Sequence, residues 1–172
     1  MTSQDPKLAA LLVQWAAVRE RMAALATNMP EGDFRDYLID TAVMGSGTDF
    51  FLEHGKYWQP AANPAWLKQG IPQYCFDNAQ ELALANPALT YVEGYATFTM
   101  AVPHGWCIDV DGNVVDPTCD NPLAVQYFGI AVDTAALTEL RNQSDEATLF
   151  FGYRAGALRE QVASLKCARW HP

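Results

Sequence analysis

A cysteine placed to act as a nucleophile is the first chemical feature of the sequence. Cys75 follows Pro72 by three residues and stands in the first turn of a predicted helix over 74–85. The unpaired backbone N–H groups and the dipole at a helix start favour a thiolate, and the same N–H groups can donate to an oxyanion. This position therefore predicts attack on an amide or thioester carbonyl through an acyl-enzyme.

A nucleophilic cysteine needs a base that later protonates the leaving group, and the near-neutral pKa of histidine suits that role. The chain has three histidines. His171 is next to the C-terminus and His54 stands in an aromatic loop, which leaves His104, at the start of a predicted strand, as the base. A third residue must accept a hydrogen bond from the imidazole and fix its tautomer. Asp116 is the predicted acceptor.

The register of one hairpin decides whether Asp116 can reach His104. A two-residue turn at Asp111-Gly112 would place Asp116 opposite Cys107, on the other face of the sheet from His104. A three-residue loop over 110–112, with its glycine in a left-handed bulge, would place Asp116 opposite Trp106, on the same face as His104. Catalysis by these residues therefore predicts the bulged loop.

The elements that must position these residues indicate an α+β fold. A helix is predicted over 7–27, a second over 31–44, and an aromatic, turn-rich loop over 48–72. The apolar stripe of the first helix comprises Leu8, Leu11, Trp15, Val18, Met22 and Leu25. The nucleophile helix is predicted to pack on an antiparallel sheet.

Beyond the nucleophile helix the hydrophobic period changes to that of strands. Residues 90–102 are rich in β-branched and aromatic side chains and predict a strand, with further strands over 104–110 and 113–116. Mixed structure follows. Helices are predicted over 134–141 and 144–167. The length fits a single α+β domain, with N-terminal helices and aromatic loop (1–70), a catalytic-like core (71–120) and C-terminal helices (121–172).

Four short motifs in a fixed order connect these residues to a known superfamily. They are Gln-Tyr-Cys-Phe at 73–76, Tyr-Val-Glu-Gly-Tyr at 91–95, Pro-His-Gly-Trp at 103–106 and Asp-Gly-Asn-Val-Val-Asp-Pro-Thr at 111–118. Over roughly residues 70–120 the chain resembles the transglutaminase-like and papain-like cysteine enzymes, which include transglutaminases, peptidases, amidases and arylamine acetyltransferases. Small uncharacterised relatives occur in bacteria and their phages. The resemblance implies a Cys–His–Asp triad, here Cys75, His104 and Asp116.

The resemblance also implies a glutamine that helps to stabilise the oxyanion. Papain-like enzymes place it six residues before the cysteine, which corresponds to Gln69. Transglutaminases often place it immediately before the cysteine, and the nearest residue here is Gln73, displaced by one. We favour Gln73 because it is nearer. Trp106 is predicted to be a packing residue beside the site. Tyr95 is a candidate for lining the cleft, although an aromatic residue on a strand is usually part of the core.

Other classes of function compete with catalysis. A catalytically silent relative would keep the fold and bind a protein as an inhibitor or decoy, with the aromatic loop as its surface. A structural zinc site would use His104, Cys107 and Cys119 with Cys75, but this spacing lacks the paired ligands of usual zinc sites. We therefore expect no metal and no cofactor. A lone cysteine on an apolar helix face is also commonly just a core residue.

Composition limits the partners. The formal charge of −9 argues against nucleic acid and against anionic membrane surfaces, since both attract Lys and Arg. No apolar run is long enough to span a membrane, and the first residues lack the pattern of a signal peptide. We therefore expect a cytoplasmic protein with four reduced cysteines, acting on a protein or peptide-like substrate. Substrate and oligomeric state do not follow from the sequence.

Overall fold

The computed structural model describes residues 6–32, 35, 50–51, 54–97, 101–143 and 147–151. Within these ranges the chain is α+β, as predicted. The elements in chain order are α1 (Pro6–Thr27), β1 (Lys56–Trp58), α2 (Cys75–Ala85), β2 (Thr90–Thr97), β3 (Ala101–Ile108), β4 (Val114–Val115), a 3-10 turn (Pro122–Ala124), β5 (Gln126–Val132) and α3 (Thr134–Gln143). The strands form one antiparallel sheet in the order β1-β5-β2-β3-β4.

The two faces of the sheet bury different sets of residues because side chains alternate along each strand. One face, the helix face, packs against α2 and α3 through a core that includes Ala79, Ala83, Tyr91, Tyr95, Cys107, Phe128, Ile130, Leu137 and Leu140. The opposite face, the histidine face, carries His104 beside a smaller cluster of Trp58, Val92, Ala96, Trp106, Ile108, Val114, Val125 and Tyr127. Both faces are therefore buried, which explains why the strands read as almost continuously apolar.

The hairpin between β3 and β4 has the bulged, three-residue loop. Cys107 pairs with Val115, and the Asp109 N–H donates to the Asn113 carbonyl oxygen at 3.0 Å. Gly112 has a φ of +80°, the left-handed conformation that glycine adopts without steric cost. The predicted register is thus confirmed, and continuing it by one residue puts Asp116 opposite Trp106.

Several element bounds differ from the sequence predictions. The predicted strand over 90–102 is two paired strands, because β2 ends at Thr97 and β3 begins at Ala101. The sequence between these two strands, Phe-Thr-Met at 98–100, contains no Gly, Pro or Asn to indicate a reversal. β1 and β5 were not predicted as strands. Residues 147–151 form bends where a helix over 144–167 was expected, and the rest of that range lies largely outside the described residues.

The N-terminal helices are described only in part. α1 agrees with the predicted helix over 7–27. Its predicted inward stripe is wrong at its last member, because Leu25 is 60% exposed while the neighbouring Ala26 is buried. Met22, the stripe residue before Leu25, is half-buried. The side chains of Leu8, Leu11, Trp15 and Val18, and most of the predicted helix over 31–44, lie outside the described residues.

Candidate active site

The three residues predicted to act together lie in contact. His104 Nε2 is 2.7 Å from Asp116 Oδ2, and both side chains are buried. The Cys75 side chain is hydrogen-bonded to His104. Because Nε2 faces the carboxylate, Nδ1 is the ring nitrogen available to the thiol. A half-buried thiol, an imidazole and a carboxylate therefore form a continuous hydrogen-bonded series.

A glycine lets the nucleophile helix approach β3 closely enough for this contact. α2 packs on the helix face, and its first turn lies against Gly105, the residue after His104. A Cβ atom at Gly105 would lie 3.0 Å from the Phe76 Cα and 3.3 Å from the Cys75 carbonyl oxygen. Any larger residue there would push the first turn of α2 away, so Gly105 sets the position of Cys75 relative to His104.

The carboxylate of Asp116 is held by four donors. Oδ2 accepts from His104 Nε2 and from the Tyr127 hydroxyl at 2.9 Å. Oδ1 accepts from the backbone N–H groups of Thr118 and Cys119 at 2.9 and 3.0 Å. Such saturation fixes the plane of a buried carboxylate and stabilises its ionised form.

Two asparagines brace the backbone around the site. Asn63 Oδ1 accepts from the Asp116 N–H at 2.9 Å, while its Nδ2 donates to the carbonyl oxygens of Asp116 and Cys119. On α2, Asn78 bonds both to the backbone of Ile71 and to the Thr118 hydroxyl. The segment before Cys75 and the segment after Asp116 are thus tied together.

Sequence reasoning missed these two asparagines and Tyr127. Asn78 follows Cys75 by three residues, but nothing in that spacing shows that the amide turns back to Ile71. Asn63 is 53 residues from Asp116 in the chain. Their roles depend on tertiary contacts that carry no local sequence signal.

The electrostatics of the pair favour charge separation. Burial works to lower the pKa of His104, but the hydrogen bonds to Asp116 and Cys75, together with the electrostatic interactions with both, outweigh it and raise the pKa to about 9. Burial also works to raise the pKa of Asp116, yet the hydrogen bond and charge of His104 hold it below its ordinary value. The raised pKa of His104 and the lowered pKa of Asp116 favour an imidazolium at neutral pH, placed between a carboxylate and a thiol.

The predicted neighbours of the site fall into three groups. Trp106 is fully buried on the histidine face, with its ring stacked 6.1 Å from that of His104, so it packs beside the site as expected. Tyr95 lies on the helix face, fully buried against Phe51 and Phe151, and therefore lines the core rather than a cleft beside His104. Gln69 and Gln73 are both exposed, and Gln73 has a φ of +72°.

The three cysteines within the described residues form no disulfide. Cys75, Cys107 and Cys119 are free thiols. Cys107 is buried on the helix face, where its thiol donates to the Ala79 carbonyl oxygen, away from His104. Among the described residues, no group of three or more His, Cys, Asp or Glu is placed to hold a metal ion. The zinc arrangement considered from the sequence therefore does not form.

A second buried carboxyl group lies on the helix face. Glu93 pairs in register with Gly105 and is fully buried. It accepts from the Tyr91 hydroxyl at 2.6 Å and from the backbone N–H groups of Leu149 and Phe150. Burial raises the pKa of Glu93 to about 7, although these donors work to lower it. Glu93 thus anchors the segment over 147–151 to the sheet.

A cavity of about 430 Å³ lies beside β4, lined mainly by the loop around Pro64 and Trp66 and by the β3–β4 turn. Its wall includes Asn113 and Val115 but not Cys75, His104 or Asp116. Because Asn63 stands between two of its lining residues, Ala62 and Pro64, the loop that brackets Asp116 also forms part of the cavity wall.

No family model matches the chain, and neither the curated proteins nor the solved structures include one similar enough to report. None of the helices in the described part of the chain is long and apolar enough to cross a membrane. Function must therefore be argued from the geometry of the site.

Proposed function

We propose that the protein is a cysteine-dependent hydrolase or acyltransferase that attacks an amide or thioester carbonyl through Cys75. The observation that carries this proposal is the contact of a half-buried thiol with a buried His104–Asp116 pair. This is the arrangement expected of an activated nucleophile, its base and the group that orients the base. It agrees with the resemblance to transglutaminase-like and papain-like enzymes, and a protein or peptide-like substrate follows from the same resemblance.

The reaction proceeds in two balanced steps. The Cys75 thiolate forms a bond to the carbonyl carbon, and the His104 imidazolium gives its proton to the departing amine or thiol as the bond to that group breaks. The resulting thioester is then attacked by water or an amine, which loses a proton to His104. Collapse of this second adduct breaks the C–S bond and restores the thiolate–imidazolium pair.

The first turn of α2 supplies donors for the oxyanion. Tyr74, which precedes the helix, makes no side-chain capping hydrogen bond, so it does not occupy the N–H groups of that turn. The Cys75 N–H is the nearest of these to the reacting atom. The amide of Gln73 or Gln69 is proposed as the second donor.

A binding role without catalysis is the second candidate. Three large apolar side chains are exposed on the segment that leads to Cys75: Trp66 at 54%, Ile71 at 63% and Tyr74 at 57%. Exposed apolar groups close together in sequence suit contact with another protein. They would serve a substrate site or an inhibitory surface equally, so the reactivity of Cys75 decides between the two.

The test is the alkylation rate of Cys75 by iodoacetamide as a function of pH, with each of the four cysteines followed by peptide mass spectrometry. Burial raises the pKa of Cys119, which makes that thiol a slow internal reference. At pH 6 we expect Cys75 to react at least about tenfold faster than Cys119, because Cys75, unlike Cys119, is paired with an imidazolium. The rate should change again as the pH rises through the His104 pKa of about 9.

The matched variants are His104→Ala and His54→Ala. The first should slow alkylation of Cys75 at pH 6 by about tenfold or more and remove the change near pH 9. The second removes an exposed histidine outside the site. It should leave unchanged both the alkylation rate of Cys75 at pH 6 and the change in that rate near pH 9. If Cys75 reacts no faster than Cys119 and is indifferent to His104→Ala, the catalytic proposal fails and the binding role takes its place.

A further inference from the structure

The Tyr127 ring lies 6.3 Å from that of His104, and its hydroxyl contacts the Asp116 carboxylate. The hydroxyl donates to Oδ2 at 2.9 Å, the same oxygen that faces His104 Nε2 at 2.7 Å. Tyr127 comes from β5, which is separated from β3 by β2. Its ring is fully buried and packs 5.1 Å from that of Trp106, so it has no freedom to turn toward solvent.

The direction of the hydrogen bond between Tyr127 and Asp116 follows from the chemistry of the two groups. An ionised carboxylate only accepts, so the single proton of the Tyr127 hydroxyl points to Asp116. The Cys119 thiol also interacts with the Tyr127 hydroxyl. Burial and the negative charge of Asp116 raise the pKa of Tyr127 well above its ordinary value, so it remains a donor at every pH of interest.

We propose that Tyr127 is a positioning residue for the reaction at Cys75, acting through Asp116 to set the orientation and basicity of His104. This inference rests on the proposed function. Because Tyr127 and His104 share one carboxylate oxygen, the hydroxyl withdraws negative charge from the atom that faces the imidazole. It also fixes the carboxylate plane, so that Nε2 is held and Nδ1 is presented to the thiol.

The pKa of His104 depends on the polar groups that face its ring. They are Cys75 on α2, Asp116 after β4 and Tyr127 on β5, whose hydroxyl bonds to Asp116 and whose ring lies 6.3 Å from that of His104. Tyr127→Phe keeps the ring and removes only the hydroxyl. More of the Asp116 charge would then act on the imidazolium, so the pKa of His104 should rise.

The experiment is an NMR titration of the histidine ring nitrogens in the full chain labelled with 15N-histidine, with His104→Gln used to assign the resonance. In Tyr127→Phe we expect the His104 titration to move upward by about half a pH unit or more. Cys119→Ala removes the thiol that interacts with the Tyr127 hydroxyl while leaving the ring in place, and it should shift the titration by less. That variant decides the question if Tyr127→Phe does not fold.

Tyr91→Phe is the matched control. Tyr91 is also a fully buried strand tyrosine whose hydroxyl donates to a buried carboxyl group, that of Glu93 at 2.6 Å, but on the helix face. A shift of His104 in Tyr127→Phe that is absent from Tyr91→Phe supports the positioning role. Equal shifts in both, or no shift in Tyr127→Phe and Cys119→Ala, overturn it and leave Tyr127 a packing residue.

Failure of this inference is distinguishable from failure of the proposed function. The histidine titration requires no turnover and no substrate. An unreactive Cys75 in the alkylation experiment would overturn the proposed function, whereas an unchanged His104 titration beside a reactive Cys75 would overturn only the role of Tyr127.

Discussion

Gln73 combines a strained backbone with a position two residues before the nucleophile. Its φ of +72° lies in the left-handed region, which costs a non-glycine residue roughly 1–2 kcal/mol. Strain of this kind persists where the surrounding structure enforces it, and it is concentrated at functional sites. Here the neighbouring Ile71 is held by Asn78, so the chain is constrained immediately before the turn into α2.

The two possible contributions of Gln73 can be separated by two substitutions. Gln73→Gly relieves the backbone strain and should raise the free energy of unfolding by about 1 kcal/mol, whereas Gln73→Ala should leave it nearly unchanged. If the amide donates to the oxyanion, both variants should acylate Cys75 about 10²-fold more slowly. Urea unfolding and the rate of acylation by p-nitrophenyl acetate measure the two effects.

The outcome also chooses between the two glutamines. Full acylation rates in both Gln73 variants would remove Gln73 from the oxyanion site and leave Gln69 as the remaining candidate. Unequal rates in the glycine and alanine variants would instead point to the backbone conformation as the contribution of Gln73.

At the scale of elements, the site depends on how closely α2 approaches β3. Gly105 provides this approach, since the nearest atoms to a Cβ there belong to the backbone of Phe76 and Cys75 or to the Phe76 ring. Backbone atoms of a packed helix cannot move aside as the end of a flexible side chain can. The nucleophile helix would therefore move as a unit.

Gly105→Ala tests this dependence. The added methyl group should displace the first turn of α2 by a few tenths of an ångström and lengthen the contact of Cys75 with His104. We expect alkylation of Cys75 at pH 6 to slow severalfold and to become less sensitive to His104→Ala. The measurement is the pH-dependent alkylation rate in the single and double variants.

Val132→Ala serves as the control for Gly105→Ala. It removes buried volume on β5 and lowers stability without inserting an atom beneath α2. Comparable slowing in Val132→Ala would show that Cys75 responds to general loosening of the core, which would contradict the specific role given to Gly105.

At the scale of the whole molecule, the raised pKa values of two buried groups affect the stability of the fold. We expect the free energy of unfolding to fall toward alkaline pH. The pKa of Glu93 is raised from 4.5 to about 7, and that of His104 from 6.5 to about 9. A raised pKa means that the folded state binds the proton more tightly than the unfolded state. The contribution of Glu93 is thus fully present below pH 4.5 and lost as the pH passes about 7. That of His104 is fully present below pH 6.5 and lost through about 9.

Urea unfolding from pH 5 to pH 10 measures these losses. Each step should be on the order of 3 kcal/mol, because a pKa difference of one corresponds to about 1.4 kcal/mol. Glu93→Gln should remove the step that ends near pH 7 and His104→Gln the one that ends near pH 9. A wild-type profile that is flat across this range, or identical in both variants, would contradict the assignment.

Local signals in the sequence were sufficient for part of this structure. Asp111-Gly112 indicates a hairpin but is compatible with two registers, and the Asp109–Asn113 pairing is predicted only if His104 and Asp116 share a face. The class of fold and the start of α2 near Pro72 also depend on short-range patterns. The division of the predicted strand over 90–102 into β2 and β3 could not be predicted, because no turn residue lies between Thr97 and Ala101.

The remainder depends on contacts between distant parts of the chain. Tyr127 reaches Asp116 only because β5 pairs with β2, and no pattern near Tyr127 specifies that strand order. Asn63 likewise hydrogen-bonds to Asp116, which lies 53 residues away in the chain. For Tyr95 the sequence left both a cleft-lining and a core position open, because its face of the strand could not be assigned before the register with β3 was known. Side chains that support a site are therefore harder to predict than those that perform its chemistry.

The bulged turn at Gly112 has a consequence for the order of folding. His104 and Asp116 are 12 residues apart in the chain, so closing one short hairpin brings them together, and hairpins of this size form in about 1–10 μs. Cys75 and Tyr127 arrive only through contacts of much longer range, which are slower to form. The imidazole and its carboxylate are thus expected to meet early, while the nucleophile joins them last. A nascent or partly unfolded chain would hold the base in place without an activated thiol.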